Sequence, residues 1–148
     1  MYNIDETGVS TIVQLYIVDE IETKQVGQAV SGERGTMVTE CMVINSFGNT
    51  VPLVFIVFIF PRTRLQDSLI FGAPTGSLGL VNIPQSTWIT GPLFLKVLEH
   101  VKKHTISSKE GRIILLMNNH ESNCTLDSIL YARENGITLV TFPPRWSH

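Results

Sequence analysis

The amino-acid sequence predicts an α/β domain: a mixed five-stranded sheet with flanking helices packed on it. Three observations carry that prediction. The run "LVFIVFIF", residues 53–60, is apolar without a break and rich in β-branched and aromatic side chains, as a strand covered on both faces would be. It follows "TMVTECMVIN", residues 36–45, across "SFGNT", which reads as the turn of an antiparallel hairpin. From residue 90 onward, helical and strand patterns alternate, as in parallel strands joined by crossover helices.

Taken in order, "MYNIDE" is a short first strand that ends at Asp5 and Glu6. Residues 7–35 hold no clear pattern except "SGERG", a turn pivoting on Gly32 and Gly35. Residues 36–45 form the second strand, and Gly48 and Asn49 tolerate the positive φ that the hairpin turn requires. The third strand covers 51–60, with Pro52 near its start, where a missing N–H is harmless. Residues 61–89, with Pro61, Gly72, Pro74, Gly76, Gly79 and Pro84, read as a long loop. "TGPLFLKVLEHVKKHT", residues 90–105, is a helix capped by Thr90, with Pro92 in its first turn. Its apolar stripe is Leu93, Phe94, Val97, Leu98 and Val101, and Lys102, Lys103 and His104 suit the negative end of its dipole. Ile113 to Met117 form a buried strand. "TLDSILYARENG" is a second helix with Thr125 as cap, Asp127 in the first turn, Arg133 in the last and Asn135-Gly136 as its stop. "ITLVTF" is the final strand, halted by Pro143-Pro144.

At 148 residues the chain is long enough to bury its own core, and residues 1–148 read as a single domain. A formal net charge of −2, with 16% charged residues, excludes the broad basic field that drives strong non-specific nucleic-acid binding. A hydrophobic content of 43% excludes a disordered chain. Cys41 and Cys124 fit no metal-ligand spacing and read as reduced, buried thiols of an intracellular protein. "MYNIDETGVS" lacks both the basic and the apolar parts of a signal peptide. The eight apolar residues at 53–60 fall far short of the roughly 20 needed to span a bilayer, so no membrane association is expected.

Residues that could carry chemistry gather at predicted strand ends. The fourth strand runs out into Asn118, Asn119 and His120, and ligand sites in α/β folds lie beyond the carboxyl ends of such strands. If the first and fourth strands are parallel neighbours, Asp5 and Glu6 meet Asn118 there. Facing carboxylates in that position would hold Mg²⁺ or Mn²⁺, yet only one side of the pair is acidic. His120 is a candidate general base or metal ligand and Glu121 a candidate stand-in acid; the ordinary alternatives are a turn or capping role for Asp5, a hydrogen-bonded loop residue for His120 and a solvated side chain for Glu121. "GAPTGSLG", residues 72–79, lacks the Gly-Lys-Ser/Thr ending of a phosphate-binding loop. Arg62, Arg64, Lys102 and Lys103 are possible phosphate contacts or simply surface cations. No Gly-x-Ser-x-Gly occurs.

Several stretches together, "YNIDETG", "QVGQAVSGERGTMVTECMVINSFGN", "FPR", "GAPTGSLGLVN", "NNHES" and "YARENGITLVTFPP", resemble the DDE superfamily endonuclease domain of pogo/tigger-type transposases and of host proteins related to them, such as jerky and centromere protein B. The similarity runs in order along nearly the whole chain. It implies an RNase H-like fold, in which three acids hold two divalent metals, Mg²⁺ or Mn²⁺, and cut DNA in the nucleus. The family's first acid falls on Asp5 and its second on Asn118, where the family reads Asp-Asn-His; Asn119 and His120 match the rest. The third acid would follow the final strand, and the chain stops at His148 before the family's C-terminal helical part.

Asn118 can lend a metal an oxygen but no charge. A lost charge–charge attraction at about 4 Å, with an effective dielectric of about 20, is worth roughly 4 kcal/mol. The resemblance therefore implies a DNA-associated, transposase-derived domain without endonuclease activity, its metal site at Asp5 and Asn118 weak or lost. The alternatives are a working metal-dependent endonuclease that uses Asp5 with Glu121 or an acid from another chain, and a protein-interaction domain with no nucleic-acid role. Two helices are too few to cover both faces of the sheet, so an exposed apolar patch is expected to drive self-association or partner binding, with Phe142 and Trp146 as contacts.

Overall fold

The structure is a computed structural model and describes residues 1–10, 37–58, 70–82 and 89–143. "SGERG", "FPR", Arg62, Arg64 and Trp146 lie outside the described residues. The described part holds strands β1 (Tyr2–Ser10), β2 (Met37–Asn45), β3 (Thr50–Phe58) and β4 (Leu78–Asn82), helix α1 (Gly91–His104), strand β5 (Ile113–Met117), helix α2 (Leu126–Glu134) and strand β6 (Ile137–Thr141). The strands form one sheet in the order β4-β3-β2-β1-β5-β6.

The sheet is mixed, as the sequence predicts, but six-stranded rather than five-stranded. The extra strand, β4, lies within residues 61–89, read above as loop; it pairs parallel with β3, Val54 opposite Leu78 through Phe58 opposite Asn82. Its sequence, "LGLVN", is only five residues long and holds a glycine, so strand propensity alone hides it. The glycine-rich stretch before it folds as turns, with Gly72 and Gly76 at φ near +86° and +87°, and leads into the strand rather than cradling a phosphate. The second departure is β1, which continues past Asp5 and Glu6 to Ser10. Nine residues of β2, from Met37 to Asn45, pair antiparallel with it, and that long ladder carries polar residues in strand conformation.

The hairpin between β2 and β3 turns as expected. Gly48 has φ near +84°, and the Asn45 side-chain oxygen accepts from the N–H groups of Phe47 and Asn49 at 2.9 Å each. Helix α1 buries the predicted stripe, Leu93, Phe94, Val97, Leu98 and Val101, and adds His100. The His100 Nε2–H donates to the Pro52 carbonyl at 2.9 Å and so ties the helix to the start of β3. Thr90 stands at the cap position of α1 without a side-chain cap bond, whereas Thr125 caps α2 by accepting from the Ser128 N–H at 3.4 Å. Lys102 gives its ammonium to the Ser107 carbonyl, and Lys103 is exposed. No helix among the described residues is long and apolar enough to cross a membrane.

The core lies between one face of the sheet and the two helices. Ile4, Cys41, Val43, Val54, Ile56, Ile113, Leu115 and Met117 point inward from the strands. Their neighbours one residue along point outward, and Met42, Ile44, Ile114 and Val140 are exposed there. Apolar side chains are thus exposed on the outer face among the described residues, with the exposed Asn3 and Asp5 of β1 standing between those of β2 and those of β5, and Phe142 just beyond β6 is exposed too. Cys41 is buried as expected, but Cys124 is exposed.

Candidate functional site

Strands β1 and β5 run parallel side by side, with Tyr2 opposite Leu115 and Asn3 opposite Leu116. Asp5 lies two residues further along β1, and Asn118 is the first residue beyond β5. The two sequence-predicted positions thus belong to neighbouring strands, and Asp5 sits within β1 rather than at its end. Asp5 is exposed, and its Oδ1 accepts the Glu6 N–H at 3.0 Å. Asn118 is half-buried, and its Oδ1 accepts from the Asn123 Nδ2–H at 2.7 Å.

Asn123 belongs to a single 3-10 turn, Glu121–Cys124, between β5 and α2. It is almost fully buried, at 2% exposure. Its amide bonds Asn118 and also the carboxyl of Glu6, so it joins β1 to the end of β5. Glu6 follows Asp5 in the strand and therefore faces the other way, towards the core side with Ile4. Burial, and then the charge of Asp5, push its carboxyl from 4.5 up to about 7, against the bond from Asn123. Cys41 lies opposite Glu6 in the ladder, and burial followed by the charges of Glu6 and Asp5 pushes its thiol far up. It is a packed thiol and offers no thiolate to a metal or substrate.

His120 and Glu121, the other sequence-predicted candidates, both reach solvent. His120 caps the 3-10 turn: its Nδ1 lies 2.8 Å from the Ser122 hydroxyl and 3.4 Å from the Ser122 N–H. Asn119 accepts a long contact from the Cys124 thiol at 3.9 Å. Sequence reasoning singled out neither Glu6 as an inward carboxyl nor Asn123. The alternation in "NIDE" carries the first signal, since Glu6 shares a face with Ile4; a polar residue in a four-residue turn carries none.

The fit to a divalent metal is poor. Asp5 is a single exposed carboxylate with one oxygen already engaged, and the Asn118 oxygen is held by Asn123. Glu6 points to the opposite face from Asp5, so the two carboxylates do not converge on one ion. Among the described residues no group of three His, Cys, Asp or Glu side chains could hold a metal ion. A two-metal centre is not assembled from these residues alone, and no catalytic step is derived through one.

The raised Glu6 pKa makes stability depend on pH. Between about 4.5 and about 7 the folded chain keeps a proton on Glu6 that the unfolded chain has released, so stability falls as pH rises through that window and levels off above it. Glu6→Gln removes the penalty. We expect the variant to be more stable than wild type by about 1 kcal/mol near pH 8, after allowing for solvent screening, with the difference gone below about pH 4.5. Urea melts of both proteins across that range check it; a constant difference at all pH values would show that Glu6 does not titrate in this way.

No family model and no curated protein matches the chain. Among solved structures, the chain is similar to the Mos1 transposase paired-end complex with left transposon end, with a TM-score of 0.51 at 7% sequence identity. The match covers 95% of this chain and 34% of the transposase, so the chain spans about a third of that protein's length. At this identity the likeness concerns the fold, and the mixed sheet with its two helices has the RNase H-like architecture of that transposase.

Proposed function

We propose that the chain is the RNase H-like domain of a transposase-derived protein, of the DDE type and related to the pogo/tigger group, which associates with DNA in the nucleus and has lost endonuclease activity. One observation supports the reading: β1, which holds Asp5, pairs parallel with β5, which leads into Asn118, and the family's first two metal-binding acids fall on these two residues. The sequence motifs support the pogo/tigger assignment, and the similarity to a transposase bound to transposon DNA supports DNA as the partner. Mg²⁺ or Mn²⁺ is the ion the family resemblance implies. With an amide at position 118 any such ion binds weakly, through Asp5 and Asn118, and His120 serves the turn rather than proton transfer.

The test is fluorescence anisotropy with a duplex oligonucleotide over a range of salt concentrations, beside a plasmid-nicking assay with Mn²⁺. Binding should be weak for a chain with a net charge of −2, and its log K should fall with log salt by about 0.9 per phosphate neutralised. No binding even at low salt would remove DNA from the reading, and Mn²⁺-dependent nicking would remove the loss of activity.

The outer sheet face favours a second reading, a protein-interaction role. Met42, Ile44, Ile114 and Val140 expose apolar side chains on strands β2, β5 and β6. Contact with a second copy would remove these side chains from water. Analytical ultracentrifugation at micromolar concentration should show self-association that Ile44→Glu with Ile114→Glu abolishes. A monomer in both cases would leave the face without a role in self-association.

A further inference from the structure

Behind the candidate site, between α2 and the outermost strand β6, lies a hollow of about 390 Å³. That volume falls in the range of small-ligand pockets. Its floor is apolar at Met117 and Ile137, which are buried, and at Leu139, which is half-buried, while Thr138 and Thr141 of β6 line it as well. It runs the length of β6, because Ile113 pairs with Ile137 at one end and Met117 with Thr141 at the other. Four residues of strand rise make it about 13 Å long.

Charge is confined to one end. Arg112 precedes Ile113, and Arg133 lies in the last turn of α2, just before the chain enters β6. Both line the hollow, both are exposed, and neither makes an ion pair among the described residues. Two guanidinium groups without a carboxylate are an arrangement that carboxylates and phosphates satisfy by paired hydrogen bonds. At the far end stands the exposed Cys124.

We propose that this hollow is a binding site for an anionic amphiphile, a slender apolar body with one carboxylate or phosphate head, the head at Arg112 and Arg133 and the tail reaching towards Cys124. The site is independent of the DNA-related reading above. Its polarity follows from the cations lying at one end only, and its occupant's shape from the length of the apolar floor.

Cys124 supplies the test. Cys41 is buried, so an aromatic disulfide reagent titrates Cys124 in the folded chain, and reaction of Cys41 reports unfolding. Labelling is followed with decanoate, decyl phosphate and decanol, each below its micelle concentration. An anion present at about ten times its Kd should slow Cys124 labelling about tenfold, with Cys41 still silent. The stronger of the two anions identifies the head group. Decanol should protect far less, and Arg112→Gln with Arg133→Gln should weaken anion binding by about tenfold or more. No protection by either anion, equal protection by decanol, or unchanged protection in the double variant would each overturn the proposal.

Discussion

Gly136→Ala should destabilise the folded chain by about 3 kcal/mol or more, enough to unfold much of a domain of ordinary stability. Two costs add. Gly136 has φ near +72°, a conformation that costs a residue with a Cβ about 1 kcal/mol or more. A Cβ there would also stand 1.8 Å from the Ser108 carbonyl oxygen and 2.4 Å from its carbon. That neighbour is backbone and cannot swing aside. Ser108 is fixed in turn, its N–H bonded to the Gly111 carbonyl at 2.9 Å and its hydroxyl to the Gly111 N–H at 2.8 Å. The Gly136 carbonyl accepts the Ile113 N–H at 2.9 Å, so retreat by Gly136 would break the first rung between β5 and β6. Urea denaturation monitored by circular dichroism checks this. A variant within about 1 kcal/mol of wild type would show that the 108–111 turn yields more easily than its bonds imply.

The same glycine shows why parts of the fold were legible in the sequence. Asn135-Gly136 announces the end of α2 because a positive φ at that point favours a residue without a Cβ. The stripe of α1 was legible because burial on one face leaves a helical period, and every residue named from it is buried. The hairpin at Gly48 was legible for the same local reason. β4 was not, since five residues after a glycine-rich stretch owe their strand conformation to pairing with β3, a tertiary cause. The extent of β1 was likewise hidden: Thr7 and Gly8 are strand residues because β2 is opposite them. At the candidate site, the sequence posed the first strand and the strand before Asn118 as parallel neighbours, and β1 and β5 pair in that way. The link through Asn123 did not, because a buried amide that bonds two strands leaves no periodic trace.

Asn118→Asp is the substitution that separates a weakened metal position from a turn residue. The fold should tolerate it: a carboxylate of the same size accepts the Asn123 Nδ2–H as the amide oxygen does now, at 2.7 Å. It adds one negative charge just beyond β5, the strand beside the one that holds Asp5. Against a divalent ion at about 4 Å, even with the dielectric of bulk water, one added charge is worth about 2 kcal/mol, or roughly thirty-fold in Kd. Calorimetric titration should therefore find Mn²⁺ bound about thirty times more tightly by the variant than by wild type, and Asp5→Ala in the variant should undo the gain. Cleavage should not return. In-line attack on a phosphodiester needs two ions held about 3.5–4 Å apart, and Asp5 with a second carboxylate at 118 supplies ligands for one. Glu6 cannot complete the set from the opposite face of β1 while its carboxyl is bonded to Asn123. An unchanged Mn²⁺ affinity would detach residue 118 from any metal position. Nicking of supercoiled plasmid by the single variant, lost again with Asp5→Ala, would show that a further acid of this chain or of a second copy completes the centre.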